Sequence, residues 1–139
     1  MVTPRNTLSK LLRYPGLIDT PNSMSSTNII VRTTKHLLDS LIDWQGSWSI
    51  YDRGHTTPYA VGVMLAEAGL REMPEKITKD ALDQWHRPKR VDAVLYDARF
   101  ERIIRPETVE IELEKAIEEY REALEPQRPR SRSHIAAGR

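Results

Sequence analysis

Apolar residues recur at three- and four-residue steps in four stretches of this chain. Each stretch is bounded by residues that cap or break a helix. The sharpest boundary is Thr57-Pro58, where threonine supplies a capping oxygen and proline occupies a first-turn position whose N–H would be unpaired anyway. The predicted helix carries Tyr59, Val61, Val63, Met64, Leu65 and Ala68 around its circumference, with Glu67 its only charge, and Gly69 ends it. A helix that apolar belongs in a core. Upstream, Thr33 or Thr34 caps a helix running to about Trp44, with Leu37, Leu38, Leu41 and Ile42 inward and Gly46 as the breaker. Downstream, Thr78 caps a shorter helix through about His86, with Ala81, Leu82 and Trp85 inward and Pro88 as its stop. Pro106 and the acids after it open the last helix, striped by Val109, Leu113, Ala116, Ile117, Tyr120 and Leu124 and closed by Pro126.

The remaining apolar runs read as extended chain. Ile29-Ile30-Val31 is an edge strand or a lead-in to the following helix, and Trp48-Ser49-Ile50-Tyr51 alternates as a short strand does. Val91–Tyr96 and Phe100–Ile104 are rich in β-branched and aromatic residues, with Asp97-Ala98 at the reversal, which predicts a hairpin. The first 28 residues are rich in Thr, Ser, Asn and Pro. They read as a flexible arm with one short amphipathic piece, Leu8, Leu11 and Leu12, stopped at Tyr14-Pro15-Gly16. The expected organisation is an arm over 1–28, a core over 29–106, an acidic amphipathic helix over 107–125 and a disordered basic tail over 126–139. The fold class is mostly α with a small β-hairpin.

Composition narrows the setting. At 139 residues with 39% hydrophobic content and 9 prolines, a single small core with loose ends is expected. No run approaches the ~20 apolar residues of a membrane span. The first residues lack the apolar segment of a secretory signal. There is no cysteine, which removes disulfides and thiolate chemistry and suits the cytoplasm. The net charge of +1 is strongly segregated: +3 over 1–106, −6 over 107–125 and +4 over 126–139. Such segregation speaks to partners more than the total does.

The stretch Thr57–Pro106 contains the helix TPYAVGVMLAEAGL, the helix ITKDALDQWHRPKR with its basic end, and the predicted strand pair VDAVLYDARFERIIRP. Over about residues 34–106 this order resembles a winged helix-turn-helix, with a C-terminal helix added. The connection from Leu70 to Ile77 is longer than the turn usual in that motif. The resemblance implies double-stranded DNA as partner, transcription regulation or an architectural role, and no cofactor. It would place Lys79, Gln84, His86 and Arg87 at bases or nearby phosphates, and Lys89, Arg90, Arg99 and Arg102 at phosphates. Arg128, Arg130 and Arg132 of the tail would add phosphate contacts without sequence preference.

Two other readings stand beside it. In one, the basic residues of 86–105 balance Asp92, Asp97 and Glu101 on an ordinary solvated surface. In the other, the chain is a structural or adaptor domain, for example of a viral particle or larger complex. It would then form a homodimer or bind a partner protein through Val109, Leu113, Ile117, Tyr120 and Leu124. Enzymatic sites are thin, and a non-enzymatic protein is expected. Ser47, Ser49, Asp52 and His55 have the residue types of a triad without the sequence setting of one, and His36, Asp39 and Asp43 share a helix side as metal ligands could. Trp44, Trp48 and Trp85 are expected as core anchors.

Overall fold

The structure, a computed structural model, describes residues 5–40, 46–85 and 92–125. Asn6 opens the first helix, α1 (Thr7–Leu11), by accepting a hydrogen bond from the Leu8 N–H at 2.9 Å. β1 (Gly16–Ile18) follows, and both elements bury side chains: Leu8, Leu17 and Ile18 are each less than a tenth exposed. The polar composition that predicts an arm here misleads. Three well-placed apolar residues and the β1 backbone suffice to anchor the segment. Arg71 adds side-chain hydrogen bonds to the Leu11 and Tyr14 carbonyls.

α2 (Thr27–Asp39) starts a full turn and more before the predicted Thr33 or Thr34. Ser26 is the true cap, its hydroxyl accepting from the Ile29 N–H at 3.2 Å. The β-branched run Ile29–Val31 is therefore helical. Ile29 and Thr33, four residues apart, form the buried face, and that tertiary fit overrides strand propensity. Residues 48–51 form no strand; Tyr51 is instead fully buried from a loop.

α3 (Pro58–Glu67) matches its sequence signals. Thr57 Oγ1 accepts from the Ala60 N–H at 2.9 Å, and Gly69 takes the left-handed conformation, φ 75°, that closes the helix. Gly62 faces β1 so closely that a Cβ there would overlap Leu17 and come within 3.0 Å of the Pro74 ring. β2 (Glu75–Ile77), within the predicted polar connection, pairs in parallel with β1, Leu17 opposite Lys76. α4 (Lys79–Asp83) is capped by Thr78 as expected but is only five residues long.

The predicted hairpin is the main correction. Its second arm is a helix, α5 (Ala98–Ile104). Asp97, placed by sequence at a strand reversal, is an N-cap whose carboxylate accepts from the Arg99 and Phe100 N–H groups at 3.0 and 3.2 Å. Phe100 and Ile104 then lie one helical turn apart and are buried. The described part of the first arm, 92–96, pairs through Ala93 with Asn22 and Ser23, not with residues 100–104; Val91 lies outside the described residues. The chain is thus mostly α with a small sheet, and among the described residues that sheet is a parallel pair.

α6 (Val109–Leu124) has the predicted stripe. Val109, Leu113, Ile117 and Tyr120 are buried, but against Leu8 of α1 and Val61 and Leu65 of α3 in the same chain. That face is filled and cannot serve as the oligomerisation surface; of the predicted set only Leu124, 49% exposed, is left outside. Thr108 makes no side-chain cap, and the Arg53 carbonyl accepts the Val109 N–H at 2.9 Å instead. A second cluster, Ile29, Tyr51, Phe100 and Ile104, joins α2, the 47–56 loop and α5.

Candidate nucleic-acid interface

The outward side of α5 follows from what its inward side buries. With Phe100 and Ile104 in the second cluster, Arg102 lies opposite them on the helix and Arg99 beside that opposite face; both are exposed. Tyr51 fixes the helix from below. Its ring centre lies 5.0 Å from that of Phe100, its hydroxyl accepts from the Asp97 N–H at 2.6 Å, and it donates to Glu101 Oε1 at 3.0 Å. Burial, aided by the Glu101 carboxylate, holds the Tyr51 hydroxyl above its ordinary value, so it remains the neutral donor this arrangement needs.

Arg99 is held over the Trp48 ring with its guanidinium carbon 3.6 Å from the ring centre. Its Nη2 donates to the Ser47 carbonyl at 3.2 Å and lies 3.9 Å from an Asp97 carboxylate oxygen. The ring contact positions the guanidinium and leaves part of it at the surface. At the other end of α5, Arg32 Nη2 donates to the Ile104 and Arg105 carbonyls at 3.2 and 3.1 Å, closing the helix with a cation. Arg105 itself is exposed at φ 52°, the one non-glycine residue with positive φ among those described. Four arginines therefore surround a seven-residue helix. Of the acids on this helix and its cap, Asp97 caps α5 and pairs with Arg99, and Glu101 accepts from Tyr51.

Two large aromatics lie open nearby. Tyr96, just before the Asp97 cap, is 77% exposed, and Trp85, just after α4, is 74% exposed. The inward placement predicted for Trp85 fails because α4 ends at Asp83, which leaves Trp85 off the helical face shared by Ala81 and Leu82. A 3.6 Å ion pair between Lys79 and Asp92 ties α4 to the segment leading to Tyr96.

The predicted contact residues divide accordingly. Arg99 and Arg102 come together on α5. Lys79 is engaged by Asp92, and Gln84 is exposed beyond the end of α4. His86, Arg87, Lys89, Arg90, Arg128, Arg130 and Arg132 lie outside the described residues. Sequence reasoning missed Arg32, Arg105, Tyr96 and the Trp48 stack. Reading Asp97 as a cap rather than a turn would have found the arginine side of α5, since Arg99 and Arg102 are spaced i, i+3.

The other candidate chemistry resolves into structure. Asp52, offered as a triad member, is 2% exposed and accepts from the Ser26 N–H at 2.6 Å and the Ser26 hydroxyl at 2.9 Å, while His55 is exposed. Burial pushes the Asp52 carboxyl above its ordinary value against those hydrogen bonds. Asp39 pairs with Lys35, and Asp43 lies outside the described residues; among the latter no group of three His, Cys, Asp or Glu could hold a metal ion. A cleft of about 330 Å³ between α1, the start of α2 and α6 includes Asp52 and Glu112 in its lining. Glu112 accepts from Asn28 at 3.1 Å and Lys115 at 3.0 Å, so both carboxylates serve to tie segments together. Among the described residues no helix is long and apolar enough to cross a membrane. Compared with protein-family models, curated proteins and solved structures, the chain matches none.

Proposed function

We propose that this chain binds nucleic acid without catalysing a reaction, as a regulator or architectural factor. In this reading the phosphate contacts come from the outward side of α5 rather than from a hairpin wing. The observation that carries it is the convergence of Arg99, Arg102 and Arg105 on one short exposed helix and its end, with Arg99 preset on Trp48. Guanidinium groups suit phosphate oxygens, which accept bidentate hydrogen bonds, and Arg99 is already positioned by its ring and Ser47 contacts. The helix pair α3 and α4 of the winged-helix resemblance contributes less, because α4 is five residues long and presents Asp80 outward. An electrophoretic mobility shift at low salt tests the reading. Wild type retards labelled DNA and the Arg99→Ala/Arg102→Ala double variant does not; equal retardation by both removes α5 from the interface.

A second reading, assembly with another protein, is supported by α2 rather than by α6. Ile30, Val31 and Leu38, 44%, 60% and 74% exposed, lie away from the buried Ile29 and Thr33 and leave apolar side chains in solvent, with Thr34 and Lys35 between Val31 and Leu38.

A further inference from the structure

We infer that the nucleic acid bound beside α5 is single-stranded, with Tyr96 stacking on an unpaired base while the arginines hold the phosphates. The inference rests on the nucleic-acid reading above and adds the class of strand. Its starting point is the exposure of Tyr96, 77%, at the entry to the arginine-bearing helix. The tyrosine hydroxyl needs only water, but a ring left this open forgoes the burial that usually accounts for an aromatic residue.

A duplex offers such a ring base edges, methyl groups and phosphates but no open base face, because its bases already stack on one another. An unpaired strand presents base faces and phosphates together. Proteins that take single strands match this with aromatic platforms beside a row of cations. Here the two kinds of group adjoin: Tyr96 precedes the Asp97 cap, Arg99 follows it by two residues, and Arg102 lies one helical turn further on. The backbone on either side of Tyr96 is pinned. The Leu95 N–H donates to Ser23 Oγ at 2.7 Å and the Asp97 N–H to Tyr51 at 2.6 Å, so little backbone ordering remains for binding. Trp85 gives a second open ring, two residues beyond the end of α4, the helix that the Lys79–Asp92 pair joins to this segment.

The test is fluorescence anisotropy with a labelled 20-nucleotide oligothymidine and a 20-base-pair duplex at low salt. Full-length wild type, Tyr96→Ala, Tyr96→Phe and Arg99→Ala/Arg102→Ala are compared. Wild type should bind the oligothymidine more tightly than the duplex. Tyr96→Ala should weaken the single-strand complex by roughly 5- to 100-fold and leave duplex binding unchanged, while Tyr96→Phe, which keeps the ring, should bind like wild type. Equal affinity for both probes, or an unchanged Tyr96→Ala complex, overturns the inference but leaves the arginine-phosphate reading intact. Binding of neither probe by folded wild type overturns both.

Discussion

The guanidinium carbon of Arg99 lies over the Trp48 ring, 3.6 Å from its centre, at the entry to the arginine-bearing helix. A contact this exposed holds the side chain in place without supporting much of the fold. Arg99→Ala should therefore lower unfolding stability by only about 0.5–1 kcal/mol in a urea titration. A loss above about 3 kcal/mol would assign Arg99 to the scaffold rather than to a ligand-facing role.

Thr33 is fully buried on α2, and its hydroxyl has no hydrogen-bond partner among the described residues. A desolvated, unpaired hydroxyl costs free energy that an isosteric methyl does not. Thr33→Val should raise stability by about 1 kcal/mol, within the usual range for such groups. A decrease on urea unfolding would mean that the hydroxyl is satisfied in solution.

Glu112 links α6 to the start of α2. Its burial works to raise the carboxyl, but the hydrogen bonds from Lys115 and Asn28 outweigh this and hold it below its ordinary value of 4.5. A carboxyl lowered by folding adds stability above its unfolded value and loses it as pH falls through the folded one. Asp52, raised by burial, acts in the opposite sense: it favours the folded state as pH falls into the window just above 3.8. Glu112→Gln should cost about 1–3 kcal/mol at pH 7, and that difference from wild type should close as pH falls below the ordinary value of 4.5. A gap constant over the same range would show that the carboxylate charge contributes nothing.

Much of the helical framework could be read from sequence because its signals are local. Thr57-Pro58 and Gly69 bound α3, Thr78 starts α4, and the stripe from Val109 to Tyr120 gives the inner face of α6. What could not be read depended on distant partners. Gly16–Ile18 is a strand because Glu75–Ile77 lies beside it, and the Ile29 run is helical because Tyr51, Phe100 and Ile104 receive that side chain. The α5 error was local but ambiguous. Phe100, Ile103 and Ile104 suit a strand by composition and a helix by spacing, and the Asp97 carboxylate decides for the helix. The candidate interface inherited that error. Two of its arginines, Arg99 and Arg102, were named as wing residues, while Tyr96 lay in a predicted strand.

The exposed apolar residues of α2 make a separate prediction about assembly. If Val31 and Leu38 contact a second protein molecule, Val31→Glu/Leu38→Glu should leave thermal unfolding within a few degrees of wild type, since both residues are more than half exposed. It should also abolish any oligomer seen by light scattering. A wild type that is monomeric at all concentrations, and unchanged by the substitutions, removes self-assembly through α2.

The salt dependence of binding reports directly on arginine-phosphate contacts, because each one releases condensed counterions. The decisive measurement is the slope of log K against log salt concentration for a labelled oligonucleotide, with wild type and Arg99→Ala/Arg102→Ala. Two lost contacts should make the slope shallower by about 1.5, and the affinity gap should be widest at the lowest salt. Identical slopes for the two proteins would contradict nucleic-acid binding through α5.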